Sequence, residues 1–251
     1  MNRRLKRSNK ANPREERNLP NKQMRNNIIE LDQFNTNVKS KVVLIPKNLN
    51  QETYIDRLED THTNIVFAVG PAGTGKTLLA TLYAIKCLKE GTVKKVVITR
   101  PNVALDDKDI GFLPGDIFGK MAPWTRPILE VFEDFYSPKT IQSMLENNVI
   151  ELLPMAFIRG RTLKNSVIIL DEAQNTTRNS MVSALTRIGE GSKMIVTGDI
   201  KQSDHGDKNG LTDFLQRYQH NPRIAVVQFE KTDVERHPVI QTLLTWYGDD
   251  L

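Results

Sequence analysis

The segment Gly70-Pro71-Ala72-Gly73-Thr74-Gly75-Lys76-Thr77 decides the fold of this chain, because it has the residue spacing of a phosphate-binding loop. The apolar run at residues 64–69 predicts a buried strand before it, and residues 78–88 after it have apolar side chains at helical spacing. A strand, a glycine-rich turn and a helix together provide the context that such a loop requires. Backbone N–H groups and the helix N-terminus would then hold a chain of phosphates.

Two side chains of this loop carry the chemistry expected of it. The Lys76 ammonium can reach the β- and γ-phosphates of a nucleotide, and the Thr77 hydroxyl can ligate Mg²⁺. All residues of the loop, with Leu78 directly after it, therefore form the predicted nucleotide-binding set. The competing interpretation is a tight structural turn without a ligand, which the flanking strand and helix disfavour.

Length and composition limit the classes of protein to which the chain can belong. Its 251 residues allow one sizeable α/β domain, and a hydrophobic content of 39% suffices for a core. No apolar run reaches membrane-spanning length and the basic N-terminus lacks the apolar stretch of a signal peptide, so we expect a cytoplasmic protein without a membrane partner. Cys87 is the only cysteine, which excludes an intramolecular disulfide and a cysteine-rich zinc site.

Positive charge is concentrated at the N-terminus. Residues 1–25 hold nine basic and two acidic side chains, a net +7, which leaves −2 of the total +5 for residues 26–251. Because this segment has almost no large apolar residue, we predict a disordered basic tail followed by one domain over residues 26–251. The tail is either an electrostatic arm for nucleic acid or a solvated segment that only aids solubility.

Hydrophobic periodicity predicts alternating strands and helices. The predicted strands are residues 41–45, 64–69, 96–99, 149–153, 167–170, 194–196 and 224–229. The predicted helices are residues 51–60, 78–88, 127–135, 138–147, 181–188, 211–218 and 238–247. Residues 101–122 are rich in glycine and proline and are predicted to form a long loop. The alternation predicts a three-layer α/β fold with a mostly parallel sheet, which binds ligands at the carboxyl ends of its strands.

An acidic pair directly follows one of the predicted strands. Asp171 and Glu172 come after the apolar run at residues 167–170, at the sheet edge where the phosphate-binding loop is also expected. Asp171 can hold Mg²⁺ directly or through a water, and Glu172 can polarise the water that attacks the γ-phosphate. The alternative is a pair of exposed acids that cap the next helix.

Other polar residues could complete a nucleotide site. Asp199 follows the strand at 194–196, and Gln202 could sense the γ-phosphate, although Gly-Asp is also an ordinary turn. Arg236 could stabilise charge on the γ-phosphate, but from the residues alone a surface arginine at a helix boundary is the better interpretation. Gln51 could read the adenine edge, because an amide both donates and accepts, but a single glutamine decides nothing.

Several further arginines have no single interpretation. Arg159 and Arg161 flank a glycine shortly before the acidic strand, where they could contact phosphate or another subunit. Arg100, Arg126 and Arg187 are additional candidates for such contacts. For each of these residues, a solvated loop charge is an equally good interpretation.

Taken together, these motifs resemble those of the PhoH family of P-loop ATPases, which is found in bacteria and bacteriophages. The resemblance covers about residues 46–246, and many short motifs in a fixed order make it specific. The segments that carry it are residues 50–51, 70–77, 99–101, 111–116, 156–162, 171–175, 185–187, 197–199 with Gln202, and 233–238. The resemblance implies a single RecA-type core, related to that of superfamily-one helicases.

The resemblance also implies roles for single residues. Gln51 would read adenine, Gln202 would sense the γ-phosphate and Arg236 would be an arginine finger. The predicted catalytic residues are Lys76, Glu172, Gln202 and Arg236. The predicted metal ligands are Thr77 and Asp171, and the implied cofactors are ATP and Mg²⁺.

The predicted function is Mg²⁺-dependent ATP hydrolysis coupled to binding or remodelling of nucleic acid. Single-stranded RNA is preferred over DNA, because the family is linked to phosphate starvation and RNA metabolism. Superfamily-one helicases use two RecA-type domains and this chain supplies one, so we expect a homo-oligomer, a homohexameric ring, in which Arg236 or Arg187 acts in a neighbouring site. The rival interpretations are an ATP-gated module that binds RNA or protein without unwinding, and a small-molecule kinase, for which no lid segment is evident.

Overall fold

Parallel strands form the centre of the fold. The computed structural model describes residues 41–101, 117–204, 206, 208–235, 239, 242 and 246, all within one compact unit. Over these residues the strands are β1 Ile65–Val69, β2 Lys95–Thr99, β3 Ile150–Leu152, β4 Ser166–Leu170, β5 Lys193–Gly198 and β6 Ile224–Gln228. They form one sheet in the order β3-β2-β4-β5-β1-β6, in which every neighbouring pair is parallel.

Helices cover both faces of this sheet. They are α1 Leu49–Glu59, α2 Lys76–Lys89, α3 Ile117–Glu133, α4 Pro138–Glu146, α5 Arg178–Leu185 and α6 Gly210–Arg217. Successive strand residues point to opposite faces, so Phe67 packs in a core cluster with Met181 of α5 and Leu211 of α6. The fully buried Val66 faces the other side, where α1 and α2 pack against the sheet. The predicted three-layer α/β class with a mostly parallel sheet is confirmed.

One predicted strand is wrong. Residues 41–46 have no regular secondary structure, although the run from Lys41 to Ile45 is rich in β-branched side chains. Val42 is 6% exposed, but Val43 and Ile45 are 56% and 70% exposed, and no strand of the described sheet pairs with the segment. Strand propensity also depends on cross-strand neighbours, and the described sheet supplies none to this segment.

The loop predicted at residues 101–122 is wrong in its last part. Helix α3 begins at Ile117 and continues through Pro123 and Pro127. Ile128 and Phe132 are 2% and 0% exposed, so burial of an apolar helix face outweighs the local glycine and proline content.

Some predicted segments lie outside the described residues. These are the basic tail at residues 1–25, the motif at residues 111–116 and most of the predicted helix at residues 238–247. Over the residues that are described, no helix combines the length and apolarity needed to cross a bilayer.

A buried lysine ties α1 to the sheet. Lys193 Nζ, at the start of β5, donates to the carbonyl oxygens of Arg57 at 3.2 Å, Leu58 at 2.5 Å and Asp60 at 2.8 Å. These carbonyls end α1, where the helix dipole favours a cation. Burial lowers the pKa of Lys193 to about 8. This contact fixes the C-terminal end of α1. The first turn of the same helix contains Gln51, which contacts the phosphate-binding loop.

Candidate active site

The loop between β1 and α2 has the backbone conformation of a phosphate cradle. Gly73 and Gly75 have φ values of +84° and +81°, in the left-handed region that favours glycine. Gly75 directly precedes the first turn of α2, so the loop and the helix N-terminus border the same cavity. A Cβ atom on Gly70 would lie 2.3 Å from the Phe229 carbonyl oxygen, so close approach of β6 also requires glycine there.

Lys76 is the first residue of α2, and its side chain lies over the loop. Nζ donates to the carbonyl oxygens of Gly70 at 2.7 Å and Pro71 at 2.6 Å, and to Thr74 Oγ1 at 3.2 Å. Burial lowers the pKa of Lys76, while three neighbouring carboxylates oppose that shift. The loop thus holds the ammonium at its centre, where phosphate oxygens would replace the carbonyl oxygens as acceptors.

Asp171 lies at the carboxyl end of β4 and accepts hydrogen bonds from two threonine hydroxyls. Its N–H donates to the Thr99 carbonyl oxygen at 3.0 Å, which continues the β2–β4 pairing. Its Oδ1 accepts from Thr77 Oγ1 at 2.8 Å and from Thr197 Oγ1 at 2.6 Å. A carboxylate and a hydroxyl suit Mg²⁺, which is usually held by one or two protein groups together with phosphates and waters. Among the described residues, no cluster of three or more His, Cys, Asp or Glu side chains could hold a metal by itself.

Glu172 borders the same cavity as Asp171, although the two residues are adjacent in sequence. Its φ of 54° and ψ of 43° are left-handed, and this turn lets both side chains border one cavity. Such a conformation in a non-glycine residue costs about 1–3 kcal/mol and is concentrated at functional sites. Glu172 Oε1 lies 3.3 Å from Arg100 Nη2, and its Oε2 accepts from Gln174 Nε2 at 2.5 Å.

Gln174 is a site residue that the sequence analysis did not single out. Besides its bond to Glu172, its Oε1 accepts from the Asp199 N–H at 3.0 Å, and its carbonyl oxygen accepts from Ser203 Oγ at 3.0 Å. The side chain is only 1% exposed. One buried amide therefore joins the turn of the acidic pair to the segment after β5. The only sequence signal was its position in the family segment 171–175.

We expect the change Gln174→Met to lower kcat for ATP hydrolysis by about ten- to hundredfold, with a much smaller change in KM for ATP. Methionine retains the volume but neither hydrogen bond, so Glu172 would lose the donor that orients its carboxylate. Steady-state kinetics would measure kcat and KM separately, with thermal unfolding measured in parallel. Gln142→Met, on the exposed face of α4, is the matched control. If ATP affinity and the fraction of folded protein fall as much as kcat does, a positioning role for Gln174 is contradicted.

A cavity of about 300 Å³ brings together side chains from three strand ends. It is bordered by Ala72, Gly73, Gly75, Lys76, Thr77, Leu78, Asp171, Glu172, Thr197, Gly198, Asp199 and Gln202. Most of the predicted nucleotide-binding set, the acidic pair and the predicted sensor Gln202 therefore lie around one space. The phosphate-binding loop follows β1, the acids follow β4, and Gly198 ends β5 between those strands.

Four described residues of the predicted nucleotide-binding set do not border the cavity: Gly70, Pro71 and Thr74 of the loop, and Gln51 of α1. Gln51 Oε1 accepts from the Lys47 N–H at 2.9 Å, and its Nε2 donates to the Thr74 carbonyl oxygen at 3.1 Å. These bonds tie α1 to the phosphate-binding loop, and adenine reading by Gln51 stays a prediction. Arg236 lies outside the described residues.

The candidate arginines have different environments. Arg100 contacts the acidic pair, with its Nη1 3.9 Å from Asp171 Oδ2. Arg126 pairs with two glutamates of its own helix, and Arg161 pairs with Glu151 of β3. Arg187 Nη1 donates to the Arg161 carbonyl oxygen at 3.5 Å, and its Nε is buried with no hydrogen-bond partner among the described residues.

Comparison with known proteins identifies the family. The family model described as PhoH-like protein matches residues 43–248. The chain belongs to the PhoH family. It is 39% identical over 218 residues to the PhoH-like protein of Bacillus subtilis, covering 86% of this chain and 67% of that protein. It is 41% identical over 206 residues to the PhoH-like protein of Mycobacterium leprae, covering 81% of this chain and 58% of that protein.

A third relative is the protein PhoH of Escherichia coli, 38% identical over 209 residues, with 82% of this chain and 58% of that protein covered. This PhoH-family chain thus spans between 58% and 67% of the length of these three relatives. Among solved structures, the UvsW helicase from bacteriophage T4 is 14% identical, with a TM-score of 0.43 over 80% of this chain and 66% of that chain. At that score the likeness adds nothing to the fold described above.

Proposed function

We propose that this PhoH-family chain hydrolyses ATP with Mg²⁺ and couples hydrolysis to the binding or remodelling of single-stranded nucleic acid. The observation that carries the proposal is the joint placement of Thr77, Asp171 and Glu172 around the phosphate-binding loop. The hydroxyl and carboxylate that would hold the metal are 2.8 Å apart, and the next residue borders the same cavity. Metal ligands, phosphate loop and a candidate base are the parts that phosphoryl transfer to water requires.

Each residue has a defined part in this chemistry. The loop N–H groups and Lys76 would bind the phosphates, and Thr77 with Asp171 would hold Mg²⁺, which supplies positive charge to the β- and γ-phosphate oxygens. Glu172, oriented by Arg100 and Gln174, would accept a proton from the attacking water. Its side chain is 34% exposed, so a water can reach the carboxylate from the cavity.

We further propose that the protein acts in the cytoplasm as a homo-oligomer, a hexameric ring, in which a neighbouring subunit covers the nucleotide. Leu78 supports this, because a leucine that borders the cavity is 49% exposed in the single chain. Arg236 or Arg187 of the neighbour would stabilise the γ-phosphate. The Glu235 N–H donates to the Gly73 carbonyl oxygen of the same chain at 3.0 Å, and Glu235 directly precedes Arg236. The alternative is therefore an arginine finger supplied by the same chain.

Mixing two inactive variants separates these alternatives. Lys76→Ala would disable the phosphate-binding loop but keep the finger, and Arg236→Ala would remove the finger but keep the loop. If the finger acts between subunits, mixed oligomers should recover a measurable part of the ATPase activity. No recovery in mixtures shown by mass measurement to exchange subunits would overturn the proposal for Arg236. The protein would also be diluted until a mass measurement shows a monomer. If the ATPase activity per subunit stays constant, the proposal of a ring is wrong.

The nucleic-acid part of the proposal has its own test. RNA is preferred over DNA because of the family's link with RNA metabolism, and the basic tail would add an electrostatic contact. ATPase activity of the full chain should rise with single-stranded RNA more than with single-stranded DNA of the same sequence. Deleting residues 1–25 should weaken binding and flatten its salt dependence. Absence of both stimulation and binding would remove nucleic acid from the proposal while leaving ATP hydrolysis in place.

A further inference from the structure

Phe157 is an exposed aromatic side chain on a firmly held turn. Phenylalanine is normally buried, yet this residue is 51% exposed. It ends the 3₁₀ turn Met155–Phe157. Met155, which begins this turn, and Ile158, which follows it, are 9% and 0% exposed and belong to the core cluster. The Phe157 N–H also donates to the Pro154 carbonyl oxygen at 2.9 Å. The backbone below the ring is therefore fixed while the ring itself faces solvent.

The segment around Phe157 is basic and lacks acidic residues. Residues 154–164 contain Arg159, Arg161 and Lys164, and no aspartate or glutamate. Arg161 pairs with Glu151, which also accepts from Lys95 Nζ at 2.7 Å, so this arginine anchors the loop to the sheet. Arg159 is exposed, and no ion pair joins it to any other described residue. Two residues after the exposed ring, the chain thus presents a cation that no carboxylate of the described residues neutralises.

Arg187 adds a second positive group beside this loop. Its Nη1 donates to the Arg161 carbonyl oxygen at 3.5 Å, and the backbone N–H of Leu163 donates to the Arg187 carbonyl oxygen at 2.9 Å. Its Nε is buried and has no hydrogen-bond partner within the described part of the chain. The charge of the surface is therefore complementary to a polyanion and would repel a basic protein partner.

The position of this surface connects it to the candidate active site. The loop follows β3, whose carboxyl end lies at the same sheet edge as the nucleotide cavity. In the order β3-β2-β4, the end of β3 where this loop begins is two strands from the end of β4, a lateral separation of about 10 Å at the usual strand spacing. Arg100, directly after the intervening β2, contacts Glu172. The loop therefore begins at the same edge of the sheet as the acidic pair.

We propose that Phe157 is a stacking platform for a base of single-stranded nucleic acid, and that Arg159 contacts the adjacent phosphate. The inference rests on the nucleic-acid binding proposed above and names the surface that performs it. Aromatic rings stack with every base, and a cation beside the ring holds the backbone without reading sequence. The platform therefore predicts binding that depends on the strand being unpaired and only weakly on its sequence.

Binding of fluorescein-labelled oligouridylate, about 12 nucleotides long, to the full chain would test the platform by fluorescence anisotropy. Phe157→Ala should weaken binding about five- to hundredfold, and Phe157→Trp should retain it, with tryptophan quenching on addition of unlabelled oligouridylate. Phe157→Leu, which keeps apolar area but not the ring face, should resemble alanine. Val182→Ala is the matched control, because this α5 residue is 52% exposed and lies outside the basic segment.

Arg159→Ala should lower the slope of log Kd against log salt by about 0.7, the value for one phosphate contact with a single strand. ATPase activity without nucleic acid should be unchanged in all these variants. If the wild type binds the probe and Phe157→Ala binds it equally well, the platform is wrong and the proposed function stands. If Phe157→Leu binds normally while Phe157→Ala alters the oligomer mass, the surface is a protein interface instead. If the wild type binds no nucleic acid, the nucleic-acid part of the proposed function fails and the platform with it.

Discussion

Replacing Lys76 with alanine is expected to lower ATP hydrolysis roughly 10³-fold and to weaken ATP binding as well. The ammonium lies at the centre of the phosphate-binding loop, within 2.7 Å of the Gly70 carbonyl oxygen and 2.6 Å of that of Pro71. It is the cation of the loop that can contact the β- and γ-phosphates in the transition state. Release of phosphate from ATP, together with titration of a fluorescent ATP analogue, would measure both effects.

A matched control distinguishes the loss of a positive charge in the site from the loss of a positive charge elsewhere on the protein. Lys94→Ala removes an exposed lysine from the turn before β2, at the opposite sheet edge, and should leave both measurements unchanged. Thermal unfolding of both variants would show that the fold is retained. Hydrolysis by Lys76→Ala within about tenfold of the wild type would contradict the site assignment.

The change Glu172→Gln is expected to lower kcat by about 10²- to 10⁴-fold while ATP binding is retained. Glutamine preserves the size and can still accept from Gln174, so the variant removes the base and the ion pair with Arg100 but little else. Single-turnover hydrolysis and ATP binding, measured on the same preparation, would separate chemistry from affinity. Glu190→Gln is the matched control, since Glu190 is exposed and outside the cavity.

The same variant distinguishes hydrolysis from nucleotide gating. If hydrolysis drives remodelling of nucleic acid, Glu172→Gln should bind nucleic acid in the presence of ATP but fail to remodel it. Remodelling that survives the loss of hydrolysis would instead favour an ATP-gated binding module. Unchanged hydrolysis would show that Glu172 is not the base and that another group activates the water.

Local patterns predicted the elements that hold the site. The apolar run before the loop is strand β1, the periodic segment after it is helix α2, and Asp171 and Glu172 do follow a buried strand. These predictions were possible because hydrophobic periodicity and glycine spacing depend only on residues that are close together in the sequence. The same logic failed at residues 41–45 and 117–122, because burial there depends on which distant elements are available for packing.

The sequence by itself therefore determined the phosphate-binding loop, the parallel α/β class and the family of this protein. Only the tertiary structure decided which residues meet: Thr77 and Asp171 are 94 positions apart in the chain and 2.8 Å apart in space. It also showed that the Gln51 amide already has two backbone partners, that Gln174 joins Glu172 to Asp199, and that Phe157 is exposed. The physical reason is that hydrogen-bond partners and burial are set by packing between distant segments, whereas periodicity records only the preferences of neighbours in the chain.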